Sequence, residues 1–360
     1  MSKQLGFGFI GCGEIAVVMA RAVDEAANAH LVAAMDVNLD LACDLGKRYD
    51  AAYTDNVAEL LARPDVEAVY IAVPHHLHAP LAIQAARADK HVLLEKPMAT
   101  TVADARAIAA ACEQAGVALS LDFMLRYHSA HRRARELVAA GAIGDVIGTH
   151  VVYRGDKPES YWHGGYTGRV RTDWRVSWEK AGGGVLIMNM VHFIDLVRYM
   201  TGLEADRVYA EYGTFLAPAE VEVEDFITVT LRYHNGALGS IEAGACLRGG
   251  MGPGRPPAMR IYGSHGQIML PNPGRSDYLQ IYLDRPWEAL PSGEWQTLEM
   301  PSVAPRTLLV EDFVDAVQRN APPPITASDG IAVQVVVEAA YQAGRSGQPV
   351  TLKTSTQGGN

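Results

Sequence analysis

Cysteine is scarce in this chain: Cys12, Cys43, Cys112 and Cys246 are the only four, far apart and never in a CxxC pair. That spacing excludes a disulfide framework and a zinc knuckle, and it points to a reducing compartment. Basic charge is also in deficit. Lys and Arg number 31 against 41 Asp and Glu, a formal net charge of −10. An acidic surface repels phosphate backbones, so no nucleic-acid partner is expected. No apolar run approaches the ~18 residues of a membrane span. The opening MSKQLGFGFIG enters a strand-like run without the basic and apolar regions of a signal peptide. The expectation is a soluble cytoplasmic protein with no membrane partner. What remains is ordinary globular material: 360 residues, 49% hydrophobic, 20% charged and 8% aromatic, without an evident internal repeat. That length suggests two domains.

The first third alternates two periodicities. Apolar runs at Leu5–Ile10, Leu31–Met35, Ala68–Val73, His91–Leu94 and Val117–Leu121 read as strands. Helical stretches around 39–48, 56–62, 77–88 and 101–115 separate them, and Ile15, Val18, Met19, Ala22 and Val23 follow helical spacing after the first strand. Such alternation predicts a parallel sheet covered by helices on both faces. Between the first strand and its helix lies Gly11-Cys12-Gly13-Glu14-Ile15-Ala16, a GxGxxA turn. Asp36 ends the next strand about 20 residues on, the distance expected of a dinucleotide site. Gly11 permits the tight turn, Gly13 the approach of a pyrophosphate, and Ala16 close helix–strand packing. The free N–H groups of Cys12 to Ile15 face the phosphates. A carboxylate at Asp36 accepts from a ribose 2′-hydroxyl and repels a 2′-phosphate, and Val37-Asn38-Leu39-Asp40 supplies no arginine. NAD is therefore favoured over NADP.

Two strand ends carry unusual chemistry. Val92-Leu93-Leu94 runs into Glu95-Lys96-Pro97, and Ala72-Val73 into Pro74-His75-His76-Leu77-His78. Ligands of doubly wound sheets bind at the carboxyl ends of strands. Proline keeps Lys96 in an extended backbone, and an ammonium there can stabilise a developing alkoxide. The three histidines match no common zinc spacing, so no metal is expected, and the segment reads as a loop lining the cofactor cleft.

After about residue 122 strands follow one another: 146–153, 208–212, 226–233, 237–245, 259–262, 266–270 and 279–283. His234-Asn235-Gly236 is a strong signal for a two-residue hairpin. This sheet is at least partly antiparallel. Pro322-Pro323-Pro324 reads as a stiff loop before a C-terminal helix. Gly182-Gly183-Gly184 leads into a helix on which Asn189, His192 and Asp195 share one side at i, i+3 spacing. Asp195 and Arg198 are compatible with a solvated stripe, whereas His192 suits proton abstraction from an alcohol near neutral pH. The loop 160–180 is dense in Trp, Tyr and Arg. Aromatic faces stack on sugar rings and Arg reads hydroxyls or carboxylates, so Tyr166, Arg169, Asp173, Trp174 and Arg175 are candidate substrate residues.

The stretches FIGCGEIA, IAVPHHLHAPLAIQAARADKHVLLEKP and LDFMLRYHSAHRRARELVAAGAIGDV, with the tail FVDAVQRNAPPPITASDGIAVQVVVEAAYQAGRSGQPVTL, resemble the glucose–fructose oxidoreductase/inositol dehydrogenase (Gfo/Idh/MocA) family over nearly the whole chain. The resemblance implies an α/β protein: a Rossmann dinucleotide-binding domain (1–122), then an α+β domain (123–360) with a large open, mixed, mostly antiparallel sheet. That second domain would bind substrate and carry subunit contacts, giving a homo-oligomer (dimer or tetramer), and the C-terminal helix would pack back on the first. The lysine of the family's EKP box, here Lys96, contacts substrate and nicotinamide; the family histidine, here His192, is catalytic. Pro74, His75, His78, Glu95 and Arg126 fall to the cofactor, and Tyr127 and Asn189 to the substrate. Members usually carry Asn where His75 stands and Asp four residues before the histidine, where this chain has Met188. Either His192 works with Lys96 alone, or another acid such as Asp173 takes part. The implied activity is hydride transfer between NAD, or NADP, and a hydroxyl or ketone carbon of a sugar or cyclic polyol. A non-catalytic carbohydrate sensor and a hydride-recycling enzyme with tightly held NAD stand as alternatives.

Overall fold

The computed structural model describes residues 4–250, 259–272 and 277–352. Its chain begins with alternating elements: β1 (Leu5–Ile10), α1 (Glu14–Glu25), β2 (Ala29–Met35), α2 (Leu39–Arg48), β3 (Ala52–Thr54), α3 (Val57–Leu61), β4 (Ala68–Ile71), α4 (His78–Arg87), β5 (His91–Leu94), α5 (Val102–Ala115) and β6 (Leu119–Leu121). The six strands lie in the order β3-β2-β1-β4-β5-β6, every pair parallel. Every residue of β1 and β4 is buried, as both-face coverage of a parallel sheet requires. The order reverses between β1 and β4, and there the two first strand ends, Gly11 and Ala72, lie side by side.

This unit is built from three separate stretches, within 1–124, 159–182 and 304–334. The last contains helix Pro305–Gln318, which packs Phe313 against Phe7 of β1 at 6.0 Å between ring centroids. Asn28 ties the same helix through its amide to the Glu311 carbonyl (3.0 Å) and the Asp315 carboxylate (2.9 Å).

The second unit comprises described residues within 125–158, 183–303 and 335–360. Continuing in chain order are α6 (Ser129–Ala139), β7 (Val146–Arg154), α7 (Tyr161–Gly164) and α8 (Trp178–Ala181) in the intervening loop, α9 (Val191–Thr201), β8 (Ala205–Gly213), β9 (Phe226–Tyr233), β10 (Leu238–Gly244), β11 (Met259–Gly263), β12 (Gly266–Leu270), β13 (Tyr278–Leu283), β14 (Trp295–Glu299), α10 (the helix of Phe313), α11 (Ala327–Ser346) and β15 (Val350–Thr351). Nine strands form one sheet, β14-β13-β12-β11-β7-β10-β9-β8-β15, in which only β7 and β10 run parallel. In β9 the buried Ile227, Val229, Leu231 and Tyr233 alternate with outward Thr228, Thr230 and Arg232.

One reading of the sequence needs correction here. The β9–β10 hairpin has a three-residue loop, not two: Gly236 N–H bonds to the Tyr233 carbonyl, Tyr233 N–H to the Ala237 carbonyl, and only Gly236 takes a positive φ (+87°). The Asn235 amide instead reaches the Val146 carbonyl at 3.0 Å, holding β7. Among the described residues, one helical stretch, Trp178–Thr201, is long and apolar enough to cross a membrane by length and composition. The window carrying that signal is 78% buried inside the fold, which marks a core helix.

Candidate active site

The Gly-rich turn has the geometry its sequence demands. Gly11 adopts φ +92°, and a Cβ there would fall on the Ala72 carbonyl oxygen. Helices α2, α3 and α5 open with capping side chains, Asn38, Asn56 and Thr101. Helix α1 has Gly13 at its N-cap and no side-chain cap, so its first N–H groups have no side-chain acceptor from the cap. Asp36 accepts from the N–H groups of Cys12 (2.8 Å) and Asn38 (2.9 Å), which fixes its carboxylate beside the turn. Burial pushes the Cys12 thiol up to about 12, an inert side chain packed under the turn. The uncapped helix start, the bare Gly13 and the anchored carboxylate together fit a dinucleotide.

The Glu95-Lys96-Pro97 segment is a buried acid next to a half-buried base. Glu95 accepts from the Lys96 N–H. Burial pushes its carboxyl up to about 7, with the Lys96 charge pulling the other way. The Lys96–Pro97 peptide is cis. His78, fully buried, lies 2.7 Å through Nδ1 from the Pro97 carbonyl and 3.0 Å through Nε2 from that of Val73. Burial pushes its pKa down to about 4, so the ring is neutral and has one N–H to give; the shorter contact assigns it to Pro97. His75 is held below its ordinary pKa by burial and donates Nδ1–H to the Ala181 carbonyl at 2.7 Å. The histidines at this strand end thus brace loops: His78 grips the turn that carries Lys96, and His75 grips the end of α8. Half-buried Pro74 leads into them. Among the described residues no group of three or more His, Cys, Asp or Glu is arranged to hold a metal.

The three glycines 182–184 owe their identity to backbone conformation and, at Gly183 and Gly184, to close packing. Gly182 and Gly183 take φ +79° and +138°, and a Cβ on Gly184 would fall on the Glu224 carbonyl oxygen. The buried Glu224 carboxylate accepts from Gly184 N–H (2.6 Å), Leu186 N–H (2.9 Å) and the Tyr341 hydroxyl (2.9 Å). Burial raises its pKa to about 7. From this anchored turn the chain makes a π-helical turn, Leu186–Met190, and then α9. Widened turns of this kind are frequent at functional sites. Met188 is buried at 3% exposure, while Asn189 and His192 are half-exposed. Asp195 is no solvated stripe: it is fully buried and clasps Arg126 through two bonds of 2.8 and 2.5 Å. Arg126, expected at the cofactor, donates to Asp195, and its guanidinium lies 5.2 Å from the centroid of the Tyr199 ring. Tyr127 is likewise buried, beneath the Arg132 guanidinium. Arg198 pairs with Glu204.

Two residues here escaped the sequence reading. Lys157 is 5% exposed, with Nζ 2.6 Å from Asn189 Oδ1. A signal existed, because Lys157-Pro158 after β7 repeats the Lys-Pro pair of Lys96-Pro97. Glu224 sits in the run EVEVED, which reads as surface charge.

The aromatic loop 160–180 belongs to the first unit. Trp174 meets His75 at a tilt of 54°, with 4.4 Å between centroids, and the Arg175 guanidinium lies over the rings of Trp174 (4.5 Å) and Tyr161 (5.0 Å). Arg175 Nε is buried with no hydrogen-bond partner among the described residues. Asp173 is an exposed partner of Lys180 (2.9 Å), which holds its carboxyl below the usual range. A weak base on the surface is a poor substitute for the carboxylate absent at Met188. Tyr166 is 61% exposed beside Tyr161. Arg169 reaches the Gly-rich turn, donating to the Cys12 carbonyl (3.2 Å) and to Asp44 (2.8 Å).

An NAD-binding Rossmann fold with a lysine at one strand end, in one chain with a mixed-sheet unit that carries a glycine-anchored histidine helix, defines a class of dinucleotide-dependent oxidoreductase. Family models for the oxidoreductase NAD-binding Rossmann fold and for the GFO/IDH/MocA C-terminal domain match residues 5–123 and 131–269. The chain belongs to the Gfo/Idh/MocA family, whose members are NAD(P)-dependent oxidoreductases of sugars and polyols. It is 28% identical to 1,5-anhydro-D-fructose reductase of Ensifer adhaerens over 300 residues, 83% of this chain and 84% of that one. Levoglucosan dehydrogenase in complex with NADH and levoglucosan superposes with a TM-score of 0.86 at 26% identity, over 98% of this chain and all of the other. The aldose–aldose oxidoreductase of Caulobacter crescentus, complexed with glycerol, gives 0.84 at 26% identity, over 97% and 100%.

Proposed function

We propose that this protein is an NAD-preferring dehydrogenase that oxidises one hydroxyl of a sugar or cyclic polyol, or reduces the corresponding ketone. The observation that carries the reading is Lys96, set at the carboxyl end of β5 on a turn that buried Glu95 and His78 hold in place. Bound nicotinamide supplies the hydride acceptor. The protein's own work is to orient the substrate hydroxyl through the Lys96 ammonium and to take its proton on the His192 imidazole. Asn189, held by Lys157, directs its amide toward a substrate hydroxyl, and Trp174 with Arg175 offers a stacking face and a buried donor. The preference for NAD rests on Asp36, whose anchored carboxylate suits a 2′-hydroxyl and opposes a 2′-phosphate. The carbohydrate class is supported by the anhydrofructose and levoglucosan enzymes among the relatives.

A second reading draws on the likeness to an aldose–aldose oxidoreductase: nicotinamide that stays bound and is recycled between two sugars. Copurified, stoichiometric nicotinamide without net release would favour it. In either case Lys96→Ala and His192→Ala should each lower turnover by about 100-fold or more while NADH still binds. Near-normal turnover in both variants on a proven substrate would refute the assignment.

A further inference from the structure

The segment Gly165–Val170 crosses the Gly-rich turn, although about 150 residues separate the two in sequence. The Glu14 carboxylate, in the first turn of α1, accepts from the Tyr166 N–H (3.1 Å) and from both the N–H and the hydroxyl of Thr167. Gly165 takes φ +71°, and a Cβ there would lie 2.5 Å from Glu14 Oε2, so the approach depends on glycine. Arg169 donates Nε–H to the Cys12 carbonyl and pairs through Nη2 with Asp44 on α2. Val170 Cγ2 stands 3.8 Å from the place a Gly13 side chain would fill. The segment therefore touches Cys12, Gly13 and Glu14 in succession.

Those three residues are the ones a dinucleotide needs. A bare Gly13 serves a dinucleotide site by letting the pyrophosphate come close to the backbone, and here Val170 stands at van der Waals distance beside that approach. The bonds that hold the segment are polar, and all but the one to the carbonyl of buried Cys12 join half-exposed or exposed residues. Tyr166, its one aromatic ring, is 61% exposed and lies with its centroid 5.0 Å from that of Tyr161. Such a segment can detach without unfolding what lies beneath it.

We propose that Gly165–Val170 is a latch on the dinucleotide site, with Glu14 as its catch and Thr167 and Arg169 as the groups that close on it. NAD enters and leaves when the latch opens, and Arg169 serves the dinucleotide, not the sugar. The inference rests on the NAD-dependent reading above and adds the control of cofactor exchange.

The test is stopped-flow fluorescence of NADH binding and release with the full chain. Thr167→Ala and Arg169→Ala each remove a hydrogen bond to a charged group, so NADH release should quicken about tenfold. Thr167→Ser keeps both donors and should release at the wild-type rate. The sugar KM should move less than about twofold in all three, since the latch touches no sugar. Unchanged release in Thr167→Ala and Arg169→Ala overturns the latch; a raised sugar KM with unchanged release does so too, and returns Arg169 to substrate recognition. A wild-type protein that binds no NADH overturns the dinucleotide reading along with it.

Discussion

Asp195 and Glu224 are both buried carboxylates, yet they are held in opposite ways. Asp195 has a full countercharge in Arg126, and removing one member of a buried pair leaves the other uncompensated. Asp195→Asn should therefore cost about 3 kcal/mol or more of unfolding free energy, measured by urea denaturation. A loss below about 1 kcal/mol would contradict the burial of the pair. Glu224 has hydrogen-bond donors and, among the described residues, no ion-pair partner, and burial lifts its pKa to about 7. The folded-state value lies above the ordinary carboxylate value, so the folded state holds the proton more tightly. The stability this confers is full below the unfolded pKa and is lost as pH rises through about 7. Relative to Glu224→Gln, which cannot titrate, wild-type protein should lose stability between about pH 4.5 and 7 and stay level above that. Melting temperatures of the two proteins across that range decide it; a wild-type advantage that grows with pH would contradict the raised value. At this scale the sequence was uneven. His192 and Lys96 stood out because their motifs are local. The Arg126–Asp195 pair joins residues 69 positions apart, and no local pattern announces it.

Among the elements, the ones that were legible are those whose sequence settles their own environment. Strands β5, β9 and β12 fall where continuous or alternating apolar residues put them. The three-residue β3 and the two-residue β15 are short edge pieces, too brief for a period to register. β14, with the half-buried pattern of an edge strand, was missed as well. The π-helical turn had no signature, since nothing in Leu186–Met190 differs from an ordinary apolar helix start. It follows directly on the glycine turn that Glu224 fixes. Gly184→Ala tests whether that turn supports the helix beyond it. Its new Cβ would fall on the Glu224 carbonyl, and the overpacking should cost about 1–3 kcal/mol of stability. Because the disturbance is at the base of the His192 helix, kcat should fall while NADH affinity stays near wild type. Equal loss of both would mean that the glycine turn does not act through the histidine.

For the molecule as a whole, the class of each unit was legible from rhythm and from motif order, and the resemblance to a known family extended it along the chain. The composition of the first unit was not legible. Its third stretch, 304–334, joins β1 through Phe313 and the amide of Asn28, contacts that depend on tertiary packing almost 300 residues away. The same is true of loop 160–180: its aromatic and arginine content pointed to sugar, whereas the structure brings Arg169 and Thr167 to the Gly-rich turn and leaves Trp174 and Arg175 beside His75. Composition cannot say which neighbours a loop residue meets; that depends on the fold.

The central claim, that this chain moves a hydride between nicotinamide and a carbohydrate hydroxyl, is tested most directly by the absorbance of reduced nicotinamide. Purified protein would be presented with NAD and, in parallel, NADP across aldoses, inositols, sugar acids and anhydrosugars. The account predicts turnover with NAD on one of these subclasses, and slower or no turnover with NADP. Silence across the whole panel, from a protein that binds NADH and carries no tightly held nicotinamide, would contradict it.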